Sequence, residues 1–166
     1  NAVGGVLWFG TDDANMMVFT PVYCCTNRLP KCYSSEIADC VTFSWESAFW
    51  IYNWVADMIR PRYSLMIDDV RAVQNKLEDT YADSQAGIES AAVAMYEKDP
   101  AKAKEFLTNY TEMTAQCAVD SWKKLGEYII VKYNDGVVKK TNADGTLMRP
   151  KYEHSHNAPL IRPGYP

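Results

Sequence analysis

The chain lacks most of the signatures by which a sequence declares an activity. No GxSxG, P-loop or GxGxxG run occurs, so neither a serine-hydrolase elbow nor a nucleotide cradle is in view, and no cofactor is expected. Histidine is nearly absent: the two present, His154 and His156, lie side by side near the C-terminus. An internal Cys–His dyad needs a histidine positioned by the fold, which this placement argues against. Basic residues are in deficit, 17 Lys and Arg against 21 Asp and Glu, and they are scattered. That excludes the basic stripe of a nucleic-acid binder. No apolar run approaches about 18 residues, so no segment reads as a membrane-spanning helix and no membrane partner is expected. Internal repeats and low-complexity tracts are missing as well. Neither an initiator Met nor a signal peptide opens the chain, and Asn1-Ala2 resembles the scar of a cleaved tag. Val3-Gly4-Gly5 runs straight into a strand pattern, so residues 3–166 are expected to be the C-terminal domain of a longer protein.

What is there describes a packed protein. Apolar residues make up 48% and charged residues 23%, the balance of a globular domain. A chain of 166 residues can bury roughly 70% of its unfolded surface. The 11 Tyr, 5 Trp and 5 Phe need burial, in this core or against partner structure. Five cysteines, Cys24, Cys25, Cys32, Cys40 and Cys117, match no zinc framework and no CxxC pair. They read as buried or partly buried thiols, with one disulfide within 24–40 left open for an exported protein.

The pattern predicts an α+β protein, mainly α. Val6–Phe9 and Met17–Cys24 are short β-rich runs around the turn-forming Gly10–Asn15, which predicts a hairpin over 3–25. An irregular connection follows, and a helical region spans 44–134. Its first helix starts at Ser44, a natural cap, and is apolar nearly all round, with Trp45, Phe49, Tyr52 and Ala56 on one face. It stops at Arg60, before Pro61, which opens a second helix carrying Met66, Val70, Val73 and Leu77, then Tyr81, Ile88, Ala92 and Met95. Asp99-Pro100 restarts a third, with Phe106, Tyr110, Met113, Cys117 and Leu125 as its stripe. Gly136 suits the left-handed cap that ends it near Tyr133. Residues 135–166 are expected to form a small hairpin, Val137-Val138 with Thr146–Met148, and an extended proline-rich tail.

Several residues could carry chemistry. Asp12 and Asp13 share the first turn; paired carboxylates can work as acid and base or hold an ammonium group. The plainer reading is a turn whose Asp accepts backbone N–H groups. Arg60 and Arg62, flanking Pro61, could hold a carboxylate bidentately, or could simply pair with acids and helix carbonyls. His154 and His156 alternate along an extended segment and could face one metal ion, but two ligands do not make a site, and no metal is expected. Trp45, Trp50, Tyr52 and Trp54 could line a ligand pocket, though core packing is the stronger explanation. Asn109-Tyr110-Thr111 is formally a glycosylation acceptor inside a predicted helix, where it reads as coincidence.

Several stretches together resemble a known family: Leu7-Trp8-Phe9-Gly10-Thr11-Asp12-Asp13, Pro21-Val22-Tyr23-Cys24, Phe43–Trp50, Asn53-Trp54-Val55-Ala56, Arg62-Tyr63 and Pro163–Pro166. The family is that of the bacterial dipeptidase D enzymes, cysteine peptidases among the N-terminal-nucleophile hydrolases. The resemblance covers nearly the whole chain, but only about the last third of such an enzyme. It implies a layered hydrolase fold, dipeptide substrates, and a nucleophilic cysteine freed as the first residue of the mature chain. The adjacent α-amino group, with a pKa near 7.7–8.0, would serve as its base. No internal cysteine can have that amine, so the resemblance implies a catalytically inert piece whose role is structural, with substrate shaping as a further role; Asp12, Asp13, Arg60 and Arg62 are the candidate substrate-binding residues.

The competing expectation is a self-contained helical interaction module without activity. If the chain is a piece of a dipeptidase, its partner is the remainder of that enzyme, and surfaces that normally meet it should drive self-association. Sedimentation should then show homo-oligomers at high concentration; a strict monomer counts against it.

Overall fold

The computed structural model describes residues 4–150. Strands β1 (Val6–Phe9) and β2 (Thr20–Tyr23) pair antiparallel, with Val6 opposite Tyr23, Leu7 opposite Val22, Trp8 opposite Pro21 and Phe9 opposite Thr20. Cys24 N–H adds one further bond to the Gly5 carbonyl at 2.9 Å. The second strand begins three residues later than its apolar run suggests. Met16, Met17 and Val18 are buried, at 2%, 3% and 0% exposure, yet they pair with no strand. Helix side chains take over the backbone bonds: Gln74 Nε2 donates to the Met17 carbonyl at 2.7 Å, and Phe19 N–H donates to Glu78 Oε1 at 3.0 Å. A buried backbone group must be satisfied somewhere, and here the partner is a helix.

Helix α1 covers Ala48–Ile59, joined by a 3-10 turn at Arg60–Arg62 to α2, Tyr63–Tyr96; α3 covers Pro100–Tyr133. The first is 12 residues long and the others 34 each, about 50 Å apiece at 1.5 Å per residue. The start of α1 corrects the expectation of a cap at Ser44. Ser44 Oγ accepts Glu46 N–H at 3.1 Å and its carbonyl accepts Ser47 N–H at 3.2 Å, closing a separate turn. A hydroxyl spent on that turn cannot also cap a helix. The stop before Pro61 and the restart at Asp99-Pro100 match expectation. Asp99 Oδ1 accepts the N–H groups of Ala101 and Lys102 at 3.1 and 3.2 Å.

Ala48, Ile51, Tyr52, Val55, Ala56 and Ile59 bury one broad face of α1. Tyr52 meets Trp122 of α3 edge to face, with ring centroids 5.5 Å apart. A second cluster gathers Tyr23, Ala92, Leu107 and Tyr110, so the end of β2 sits in the seam of the two long helices. Tyr23 N–H donates to Thr111 Oγ1 at 3.3 Å, and Tyr81 OH reaches the Thr114 carbonyl at 3.0 Å. Outside, Arg28 spans Glu105 and Glu112 at 3.0 and 2.8 Å and donates to Asn109 at 2.6 Å, so the formal glycosylation asparagine is an Arg partner on an α-helix.

The helix stripes follow the sequence reading at Met66, Val70, Tyr81, Ala92, Tyr110 and Leu125, all buried, and depart from it elsewhere. In α2 Met66, Val70, Gln74, Tyr81 and Ala92 are buried, while Met95 is 38% exposed. In α3 the buried line runs through Leu107, Thr111, Thr114, Ala118 and Trp122; Cys117 is exposed and Met113 is 60% exposed. The buried hydroxyl residues of α3 meet polar partners: Thr111 Oγ1 accepts Tyr23 N–H and Thr108 Oγ1 accepts Asn27 N–H, each at 3.3 Å, while the Thr114 carbonyl accepts Tyr81 OH from α2.

Residues 4–129 belong to one compact unit and those from 130 onward to another. In the second unit α3 ends with Asp135 (φ 57°) and Gly136 (φ 71°) in left-handed conformations. The small hairpin is present with shifted arms: Thr141 bridges Leu147, and Met148 N–H donates to Lys140 at 2.8 Å, whereas Val137 and Val138 lie outside it. The proline-rich tail with His154 and His156 lies outside the described residues.

The register is testable. Leu107→Ala should cost about 2–5 kcal/mol, and Met113→Ala less than ~0.5 kcal/mol, in urea unfolding. Equal losses would restore the stripe suggested by the sequence.

Candidate functional site

The turn from Gly10 to Asn15 closes the end of the hairpin and meets α1 and the start of α2. The Met17 side chain folds over Gly10: a Cβ at this position would lie 2.2 Å from Met17 Cε, so a larger residue would require the methionine to shift. Asp12 then takes φ 123°, a backbone region costly for any side chain, of order 1–3 kcal/mol. The surroundings hold it. Asn53 Nδ2, from the middle of α1, donates to Asp12 Oδ1 at 3.2 Å. The other carboxylate oxygen, Oδ2, is buried with no hydrogen-bond partner, and the neighbouring Thr11 Oγ1 is in the same state.

Asp13 has a different environment. Its Oδ1 accepts Asn15 N–H at 3.0 Å and its carbonyl accepts Met16 N–H at 2.8 Å. Its Oδ2 lies 3.9 Å from Arg60 Nη2, and Arg60 also pairs with Asp57. Asn15 is clamped in turn: its Nδ2 donates to Tyr63 OH at 2.6 Å, and its Oδ1 accepts from Arg71. Of the four residues singled out from sequence, the structure thus gathers Asp12, Asp13 and Arg60 at one end of the hairpin. Arg62 stands exposed at the N-cap of α2. Asp13 and Arg60 follow the plain structural reading, a turn-forming acid and an acid-paired cation. Asp12 does not. It retains an acceptor with nothing to accept.

Sequence reasoning passed over Thr11, Asn15, Ser47, Tyr63, Arg71 and Gln74 as site residues. One signal was available: Gln74 interrupts an otherwise apolar stripe, and a polar residue there needs a buried partner.

Next to the turn is a cleft of about 260 Å³ with Thr11, Cys32, Tyr33, Asp39, Ser47 and Phe49 on its walls. Asp39 is occupied by its own loop; N–H and hydroxyl donors of Val41 and Thr42 hold its carboxyl below the usual range. The predicted ligand-lining aromatics divide. Tyr52 is core, while Phe43, Trp45 and Phe49 form an exposed row with Trp50, with Phe43 and Trp45 half exposed.

All five cysteines are free thiols, so the disulfide left open within 24–40 is not formed. Cys24, Cys40 and Cys117 are exposed, against the expectation of buried thiols. Burial pushes the Cys32 thiol up to about 12, which keeps it protonated and poorly nucleophilic at neutral pH. Both histidines fall outside residues 4–150, so no cysteine is joined to an imidazole among the described residues.

The comparison with known families bears on this region. Residues 1–76 match the sequence model of peptidase family C69. That stretch holds the hairpin, the Asp12 turn, α1 and the beginning of α2, hence Thr11, Asp12, Asn15, Ser47, Asn53, Tyr63 and Arg71. The match supports a peptidase-related origin for the part of the chain that builds the turn. No curated protein matches the chain.

Cys32 gives a pH prediction. Its folded-state value near 12 lies above its ordinary 9.0, so folding favours the protonated thiol. Stability should be intact below pH 9 and fall as pH rises through that window. At pH 8 a thiol reagent read by mass spectrometry should label Cys24, Cys40 and Cys117 well before Cys32; early labelling of Cys32 would contradict the burial.

Proposed function

We propose that this chain is the C-terminal part of a cysteine dipeptidase, that it shapes the substrate site, and that its nucleophile is supplied by residues outside this segment. The carrying observation is Asp12: a strained carboxylate, fixed by Asn53, with one buried oxygen lacking a donor. The free α-ammonium of a short peptide is a donor of matching charge, and such charge-assisted bonds are the strong ones. The match to a peptidase family over 1–76 and the dipeptidase resemblance supply the reaction class. In that chemistry a terminal cysteine thiolate, its proton held by the neighbouring α-amine, adds to the scissile carbonyl. The tetrahedral intermediate collapses with loss of the protonated amine, and water hydrolyses the thioester. Thr11, Asp12 and Asn53 would anchor the substrate, with Asp13, Arg60 and Arg62 as further candidates near it.

A second reading, a binding module whose partner covers the aromatic row of Phe43, Trp45 and Phe49, draws on the exposure of those rings. Activity separates the two. In the complete enzyme Asp12→Asn should lower kcat/KM on dipeptides about 10- to 100-fold, the scale of one charge-assisted hydrogen bond of ~1.5–3 kcal/mol. The 166-residue chain alone should hydrolyse none. An unchanged kcat/KM would remove Asp12 from the site, and hydrolysis by the isolated chain would remove the external nucleophile.

A further inference from the structure

The cleft beside the Asp12 turn opens on the N-terminus of α1, and that helix end is unfinished. The first backbone bond of the helix runs from Ile51 N–H to the Ser47 carbonyl at 3.1 Å, which leaves the N–H groups of Ala48, Phe49 and Trp50 without intrahelical acceptors. Ser47 is the N-cap residue, but its hydroxyl makes no cap bond, and no acidic residue stands in the first turn. Ser47 is only 5% exposed and lines the cleft, and its hydroxyl is not used to cap the helix. Thr11 lines the same cleft, and its Oγ1 is buried without a partner.

Neutral hydroxyls and uncapped N–H groups at the positive end of a helix dipole select an anion. The nearby carboxylates do not fill the role. Asp39 is bound by Val41 and Thr42 of its own loop, and Glu46 pairs with Lys31 at 2.6 Å. The cleft, about 260 Å³, sits just under the ~300–1,000 Å³ of drug-sized ligand sites and suits a small molecule.

We propose that the N-terminus of α1, with Ser47 and Thr11, is a carboxylate-binding site that receives the C-terminal carboxylate of a dipeptide. Thr11 and Asp12 are consecutive in the chain, so an acceptor for an ammonium and donors for a carboxylate lie on either side of one peptide unit. Together they would measure a peptide with both charged ends close together and reject longer chains. The anion site stands on its own geometry; naming its ligand as the second end of a dipeptide rests on the reading of Asp12 above.

The test uses the whole chain and three probes by backbone-amide NMR: N-acetylglycine, with a carboxylate and no ammonium, glycinamide, with the reverse, and glycylglycine. N-acetylglycine should shift the amide signals of Ala48, Phe49 and Trp50 saturably. Ser47→Ala should weaken it several-fold. Ser47→Asp, which places a fixed carboxylate where the ligand's would sit, should weaken it at least ten-fold while raising Tm by capping the helix. Because the Ser47 hydroxyl is not used to cap the helix, both variants should fold, and their melting curves check this. Absence of saturable shifts with N-acetylglycine, or binding untouched by Ser47→Asp in a folded protein, overturns the site. Asp12→Asn should leave N-acetylglycine binding unchanged while abolishing the shifts caused by glycinamide and the tighter binding of glycylglycine. If N-acetylglycine binds as described but glycylglycine binds no more tightly in the unaltered chain, the carboxylate site holds and the Asp12 reading falls.

Discussion

The constraint on which this structure depends is that a buried loop must have its polar backbone satisfied. Met16, Met17 and Val18 are as deep as any core residue, but they belong to no strand that could pair them. An unmet buried backbone group costs about 1–3 kcal/mol, so such a segment survives only where another element supplies donors and acceptors. Helix α2 does so through Gln74 and Glu78, and it fixes Asn15 through Tyr63 and Arg71. The first five turns of α2 are therefore as much part of the Asp12 turn as the hairpin is. That buttress and the Asn53 amide of α1 together hold Asp12 at φ 123°.

Features encoded within a few residues of themselves were legible from the sequence. Pro61, Asp99-Pro100 and Gly136 mark helix boundaries through local sterics and capping, and the structure obeys each. Choices that depend on distant partners were not. Ser44 and Ser47 are equally good caps by residue type; the structure gives the first a separate turn and leaves the second without a cap bond. In α3 the apolar line through Met113 and Cys117 competes with one through Leu107, Thr111 and Thr114. Tyr23 and Asn27 donate to Thr111 and Thr108, and Tyr81 reaches the Thr114 carbonyl; such polar contacts from distant elements favour the second line, and hydropathy periodicity does not contain them. The expected strand at Met17 failed for the same reason, because its backbone partners come from residues 57 to 59 positions away.

The site was half legible. Two adjacent aspartates in a turn are an obvious pair, yet nothing local distinguishes them. Tertiary contacts do: Asp13 is neutralised by a turn N–H and Arg60, whereas Asp12 receives a single amide from α1. The same contacts remove Arg60 from the list of free cations, since Asp57 and Asp13 share it. Asn53 could be read only as a lone amide within an apolar helix, and its purpose emerges once the turn is folded against it.

Orphaned polar atoms do not by themselves signify a ligand, and this protein contains the counterexample. Tyr52 OH and Trp122 Nε1 are also buried without partners. Both rings, however, are packed edge to face in the core, at 0% exposure, where aromatic burial outweighs one unmet hydrogen bond. Thr11 and Asp12 have no such compensation. They are small, polar and only partly buried, and one of them adds backbone strain to the unmet bonds. Ser47, on the cleft wall, could lower its energy by capping its own helix and does not. A cost of this kind, concentrated around one cleft and unrelieved by the chain, is the mark of a site whose missing partner arrives from outside.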